Sequence, residues 1–158
     1  MIELKKITIT SEEMKDCIAL DVAPEQKDFV YPNAIMLALE YNFNVRNKPM
    51  ECYAIYAEGT MVGLIAYNYY VTPPCFKETC YRIRPLMVDK TQRGKGYEEA
   101  ALKALLKEIR KQPNDATAIF VTYDPKEEDM ARIYETIGFV KTDLILEGDS
   151  DIVARISM

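Results

Sequence analysis

Histidine is missing from this 158-residue chain. That absence removes Ser-His and Cys-His nucleophile pairs, histidine general bases and histidine-bearing zinc sites together. The four cysteines, Cys17, Cys52, Cys75 and Cys80, form no C-x-x-C pair, so no thiolate zinc site and no metal is expected. Cys17 and Cys52 sit in apolar periodic stretches and read as small core residues. No apolar run approaches the length of a membrane span. Met1-Ile2-Glu3-Leu4-Lys5-Lys6 lacks the apolar core of a signal peptide, so the expected location is cytoplasmic. A basic excess is missing too. The net charge of −5 argues against non-specific nucleic-acid binding and is compatible with a cationic small-molecule partner.

Apolar residues make up 49% and charged ones 28%, the balance of an ordinary globular protein. A chain of this length hides about two-thirds of its unfolded surface, enough for a real core, and reads as one domain over 1–158. Residues 3–9 alternate around Leu4, Ile7 and Ile9 as a strand. Thr10-Ser11-Glu12-Glu13 has the spacing of a capping box, with Met14 and Ile18 turned inward on the helix it opens. Pro32 pushes Tyr31 out of helical geometry and Asn33 is a candidate N-cap for a second helix, whose apolar face is read as Ile35, Leu39 and Asn42/Phe43. Residues 51–57 and 61–70 are strands about a Glu58-Gly59 hairpin turn, and Pro73-Pro74 marks a loop or an edge. Residues 79–88 form a strand carrying Pro85, a conflict that a bulge or a locally unpaired edge resolves. Ala116 to Thr122 is a buried strand. Asp124-Pro125 opens a helix with Met130, Ile133, Tyr134 and Ile137 on one stripe, ended by Gly138, and residues 139–147 and 151–156 are strands about Gly148-Asp149-Ser150.

The stretch from Leu86 to Tyr97 organises the rest. Leu86-Met87-Val88 ends a strand, a polar turn follows, and Arg93-Gly94-Lys95-Gly96 opens a helix with Leu102, Leu105, Leu106 and Ile109 at i, i+3, i+4 and i+7. A helix N-terminus offers unpaired amides and a partial positive charge, glycines let a ligand come close, and Arg93 and Lys95 add cations. These parts suit a phosphate or diphosphate. The plainer reading, that the glycines only shape a tight connection, stays open. A Walker loop is excluded because Gly96 follows Gly94-Lys95, and a dinucleotide fingerprint because its third glycine falls on Glu99.

What remains resembles the acetyl-CoA diphosphate loop of the GNAT N-acetyltransferase superfamily, an L-x-V-D strand end followed by (Q/R)-x-x-G-x-(G/A) and a helix. Ala131-Arg132-Ile133-Tyr134-Glu135-Thr136-Ile137-Gly138-Phe139 is similar to the A-x-x-x-Y-E-x-x-G-F end of that family's last helix. The element order β-α-α-β-β-β-α-β-α-β-β matches over essentially the whole chain. The resemblance implies an α/β (α+β) fold with a mixed, mostly antiparallel sheet flanked by helices, and acetyl-CoA as co-substrate. It implies cofactor contacts from Leu86, Met87, Val88, Arg93, Gly94, Lys95, Gly96, Tyr97, Glu98 and Glu127. Tyr134 takes the place of the general acid that protonates the leaving thiolate; its position on the apolar stripe also fits a core residue. Residues Pro24 to Asn33 and Ala38-Leu39-Glu40-Tyr41 resemble the acceptor segment of bacterial spermine/spermidine acetyltransferases.

That second resemblance implies a small polyamine acceptor and an enzyme acting by direct attack in a ternary complex. No cysteine looks poised for a covalent intermediate. Freeing a primary amine at pH 7 costs roughly 4–5 kcal/mol, which a carboxylate beside the reacting nitrogen would raise. Carboxylates are therefore useful farther along the acceptor, where Glu25, Asp28 and Glu40, with Tyr41, are candidates; each carboxylate also fits a solvated helix face. The general base must be a carboxylate, a tyrosine or a water chain. Departures from the family pattern are Pro85, Thr91, Glu98 and Glu127, the last two placing acids near an anionic ligand. They keep two alternatives in view: a catalytically impaired CoA-binding or sensing module, and a peptide or lysine N-acetyltransferase. A homodimer is compatible with the sequence.

Overall fold

The computed structural model describes residues 1–71, 76–146 and 150–158; the expected features at Pro73-Pro74, Cys75 and Gly148-Asp149 lie outside the described residues. The elements run β1 (Ile2–Lys6), α1 (Met14–Ala19), α2 (Asn33–Val45), β2 (Met50–Ala57), β3 (Thr60–Tyr70), β4 (Cys80–Ile83), β5 (Met87–Val88), α3 (Tyr97–Arg110), β6 (Ala118–Tyr123), α4 (Glu128–Ile137), β7 (Val140–Lys141) and β8 (Ile152–Ser157). The strand order is β1-β2-β3-β4-β6-β8-β7, with β5 paired to β3 alone. Every pairing is antiparallel except β4 with β6, so the sheet is mixed and mostly antiparallel, as expected.

Pro85 splits the expected strand in two. On β3, Tyr67 pairs with Ile83 but Leu64 pairs with Met87, so the partner chain has gained one residue in between. The Arg84 amide still reaches the Ala66 carbonyl at 2.8 Å. Proline then offers no donor, and the chain resumes as β5. β5 can lie against β3 because Gly63 has no side chain: a Cβ there would sit 2.2 Å from the Met87 carbonyl oxygen.

Two layers of helix cover the sheet. α3 buries Ala101, Leu102, Leu105, Leu106 and Ile109 against one face, together with Tyr134 of α4. Each large aliphatic among them contributes roughly 1.5–3 kcal/mol by burial. Cys17, Met36 and Leu37 from α1 and α2 cover Cys52, Ala54, Leu64 and Ala66 on the opposite face. Burial pushes the Cys17 thiol up to about 11 and Cys52 to about 12, so both are inert core groups. No helix is long and apolar enough to cross a membrane among the described residues.

Five local expectations are corrected. The capping box does not form: the Thr8 amide donates to the Ser11 hydroxyl oxygen at 2.9 Å, Thr10 meets Thr8, and α1 begins at Met14 with no side-chain cap. Cys17 faces inward, and Ile18 is 42% exposed. On α2 the fully buried residues are Asn33, Met36 and Leu37; of the expected face, Leu39 and Phe43 pack half-buried against the same core, whereas Ile35 is 45% exposed. Asn33 is the first helical residue and not the cap, because its side chain is committed elsewhere. The strand expected over 139–147 stops at Lys141, and Leu144 and Leu146 pack on the Phe76–Phe120 cluster without a ladder.

Candidate active site

The glycine turn starts where β5 ends. The Asp89 amide donates to the Val62 carbonyl at 2.7 Å, and its carboxylate accepts from the Thr91 amide and hydroxyl and, at 2.8 Å, from the Asp21 amide. Burial alone would raise this carboxyl, but those hydrogen bonds outweigh it and hold it below the usual range. Lys90 adds a backbone bond to the Asp21 carbonyl at 2.8 Å, so the end of the α1 segment is stitched to this turn. After a 3-10 turn at Lys90–Gln92, Gly94 and Gly96 take φ of 78° and 77°, with nothing within 4 Å of an added Cβ at either. Their left-handed backbone, and not crowding, calls for glycine. α3 follows directly, so the amides of Tyr97, Glu98 and Glu99 have no carbonyl a turn earlier and point with the positive helix end into the open.

Between the N-termini of α3 and α4 lies a groove of about 610 Å³. Its walls include Gly94, Gly96, Met130 and Ile133, and its acids, Glu25, Glu98, Glu127, Glu128 and Asp129, outnumber its cations, Arg93 and Lys126. Arg93 is held between Glu25 at 3.6 Å and Glu98 at 3.8 Å. Lys95 turns away to the Gln92 side chain at 2.9 Å and lies over the Tyr97 ring. Glu127 caps a tight turn by accepting from the Asp124 amide at 3.0 Å. Burial raises its carboxyl, Asp151 and Asp124 push the same way, and the Asp124 amide resists.

The groove leads to a gap in the sheet. β4 and β6 pair as far as Ile83 and Val121, whereas β5 pairs only with β3, so the ends of β5 and β6 diverge. Since the Asp89 amide faces β3, strand alternation turns the Val88 amide toward the gap. Tyr134 lies on α4 behind the end of β6, 3% exposed, between the rings of Tyr123 at 5.3 Å and Phe139 at 5.7 Å. Its hydroxyl has no hydrogen-bond partner among the described residues. Burial, then Glu127 and Tyr123, raise its pKa, so the phenol keeps its proton. Helical side chains lean toward the helix N-terminus, which directs this one toward Glu127 and the groove.

On the opposite face, a recess of about 150 Å³ lies between the α1–α2 connection and β5. Asn33 borders it, donating to the Cys17 carbonyl at 2.8 Å and to the Met87 sulfur at 3.4 Å, while its own side-chain oxygen is buried without a partner. The sheet beside it carries a polar row: Asn68 on β3, Arg82 on β4, Arg84 just beyond, and Thr122 on β6. The Arg84 Nε donates to the Asn68 Oδ1 at 2.6 Å, and the Arg82 Nη2 to the Thr122 hydroxyl at 3.0 Å.

The expected cofactor residues Leu86, Met87, Val88, Arg93, Gly94, Gly96, Glu98 and Glu127 thus fall along one path of groove and gap, with Tyr97 opening the helix above it and Lys95 beside it. The expected acceptor residues are not brought together. Glu25 is on Arg93 in the groove, Asp28 is exposed, Glu40 on α2 is half-buried and bonded to Asn44 at 2.7 Å, and Tyr41 is 57% exposed. Burial raises the Glu40 carboxyl. Sequence reading missed Gly63, Asn33, Arg82, Arg84 and the Asp21–Asp89 stitch. A glycine inside a strand pattern was the available signal for Gly63.

Three comparisons bear on this geometry. The model of the acetyltransferase (GNAT) family matches residues 15–139. Among curated protein sequences none matches the chain. Among solved structures the chain is similar to aminoglycoside acetyltransferase AAC(6')-Ib in complex with coenzyme A, with 15% identity, TM-score 0.79 and coverage of 99% of this chain and 95% of that one. It is also similar to the GNAT domain of S. lividans PAT, at 14% identity, TM-score 0.71 and coverage of 99% and 90%. A third is RimL, a ribosomal L7/L12 alpha-N-protein acetyltransferase in complex with coenzyme A, at 13% identity, TM-score 0.69 and coverage of 99% and 94%. At such identities the likeness is one of fold.

Proposed function

We propose, from the premise that this chain belongs to the acetyltransferase (GNAT) family and takes acetyl-CoA as its co-substrate, that it transfers acetyl to the primary amine of a small molecule by direct attack. The amides opening α3 and the glycine turn hold the diphosphate. The free edge at Leu86, Met87 and Val88 holds the pantetheine arm, and the Val88 amide polarises the thioester carbonyl. The amine nitrogen forms the new bond to the acetyl carbon as the carbon–sulfur bond breaks, the Tyr134 hydroxyl gives its proton to the departing sulfur, and the proton shed by the nitrogen passes to water and restores the phenol. The observation that carries this reading is the gap itself: one wall is an unpaired strand edge, the other a buried, proton-retaining tyrosine, and it opens onto the glycine turn.

Polyamines of the spermidine type enter as acceptors through sequence similarity alone, and kanamycin is bound together with coenzyme A in one structure of similar fold. A peptide N-terminus or a lysine side chain belongs in the same panel of amines. A second reading, a binding module with impaired catalysis, is favoured by the acids in the groove and by the engagement of Arg93 with Glu25 and Glu98.

Free-thiol release from acetyl-CoA across an amine panel, run with Tyr134→Phe, separates these readings. We expect turnover with at least one amine and a fall of about 10²-fold or more in the variant. An unchanged variant rate removes Tyr134 from the chemistry. Acetyl-CoA at a hundred times its dissociation constant adds about 2.7 kcal/mol of stability; that shift without turnover on any amine selects the module.

A further inference from the structure

Arg82 and Arg84 lie on the same side of the strand, about 7 Å apart by strand geometry. They flank the point where the chain leaves the sheet. Neither has an ion pair among the described residues. The half-buried Arg155 and Arg93 do, with Glu78 at 2.9 Å and with Glu25 and Glu98. The Arg84 Nε meets only the neutral Asn68 oxygen, and its guanidinium lies 5.5 Å from the Phe43 ring centre. Arg82 reaches the Thr122 hydroxyl through Nη2, and its Nε is buried with no acceptor.

Two guanidiniums this close repel each other, and withdrawing them from water without an anion is costly. Burial, then Arg82, lower the Arg84 pKa, in keeping with that geometry. Guanidiniums present paired donors that fit a carboxylate or a phosphate. The diphosphate of acetyl-CoA does not meet this need, because its place at the α3 N-terminus is on the other mouth of the gap. Arg84 is two residues from Leu86, so a group held by it lies within one small molecule's length of the free strand edge.

We infer that the amine accepted at this gap also bears an oxyanion, and that Arg82 and Arg84 hold it while the nitrogen is presented to the thioester. This rests on the N-acetyltransferase reading above and gives its substrate class: an amine with a carboxylate or phosphate on the same molecule, and not a plain polyamine. No carboxylate is needed beside the reacting nitrogen, where it would favour the protonated amine.

Matched pairs test it on the wild-type protein. Lysine and cadaverine differ by one carboxylate, and O-phosphoethanolamine and ethanolamine by one phosphate. In thiol-release assays we expect the better anionic member to exceed its partner at least tenfold in kcat/KM, which pair responds telling carboxylate from phosphate. Arg84→Gln should raise KM for that amine at least tenfold, leave kcat within about threefold and level the preference, and Arg84→Lys should restore part of it. Calorimetric titration with Nε-acetyllysine, N-acetylcadaverine, O-phosphoethanolamine and ethanolamine gives a readout without turnover. Arg84-dependent preference for the anionic members there, with no transfer to any amine, upholds the oxyanion subsite and refutes the enzyme reading. Cadaverine or spermidine turning over better than either anionic amine, or equal binding within each pair, overturns the inference.

Discussion

On the side of the gap proposed for acetyl-CoA, the donors for an anion are backbone amides and the side chains are mostly acidic; on the side proposed for the acceptor, two guanidiniums stand without an ion pair among the described residues. Arg93, beside the glycine turn, is engaged by Glu25 and Glu98, whereas Arg82 and Arg84 have only neutral partners among the described residues. The difference teaches that a site built from amides tolerates acidic side chains nearby. Acids around it weaken affinity by degrees. A site built from side chains has its selectivity in those side chains, and one substitution rewrites it.

The two sides share β5, so displacing β5 should break both at once. Gly63→Ala puts a Cβ 2.2 Å from the Met87 carbonyl oxygen, and backbone must move. We expect a loss of roughly 1–3 kcal/mol, about 2–4 °C in Tm for each kcal/mol at this size, and a fall in turnover out of proportion to the loss of fold. An unchanged melting curve and rate would show that this contact does not hold β5.

Asp89→Asn should loosen the stitch between the sides while sparing each, at about 1–2 kcal/mol, as for hydrogen bonds to a charged acceptor. Because the folded-state Asp89 pKa is depressed, its contribution is present above the unfolded carboxyl range and is lost as pH falls through the lower folded value. The stability gap between wild type and variant should therefore be constant near neutrality and close below about pH 4. A gap independent of pH would assign the effect to shape alone.

The smallest effects sharpen the contrast. Glu127→Gln and Glu98→Gln each remove one acid from the groove and should tighten CoA binding severalfold, about 1.4 kcal/mol at most. The Glu127 pKa is raised, so the gain from Glu127→Gln is full above that pKa and fades as pH falls through it, where the wild-type carboxyl is already neutral. Titration at two pH values checks this. Weaker binding in both variants would mean that the acids hold the groove in shape.

What was legible in the sequence was local. The stripes of α3 and α4 repeat with helical period, the glycines sit at a helix start, and Pro85 announced a broken strand. Tyr134 was found through the motif around it, and the structure adds its neighbours. Where several local solutions compete, reading failed. Thr8, Thr10 and Ser11 bond one another and not the helix end, and Leu144 and Leu146 alternate like a strand yet pack on Phe76 and Phe120. Arg82, Arg84, Asn33 and Gly63 acquire meaning only from residues across the sheet, and no spacing along the chain encodes those neighbours.

The separate pairing of β5 bears on how the chain assembles. β2, β3, β4 and β5 are consecutive in the chain, so their contacts close short loops and are favoured early. β6 must arrive over the crossover through α3 to lie parallel with β4. With β5 paired to β3 first, as this order of contacts favours, the newcomer can zip only as far as Ile83 and Val121, where the pairing stops. The cleft is thus never forced apart in a finished sheet; it is the length of seam that a late strand finds already turned away.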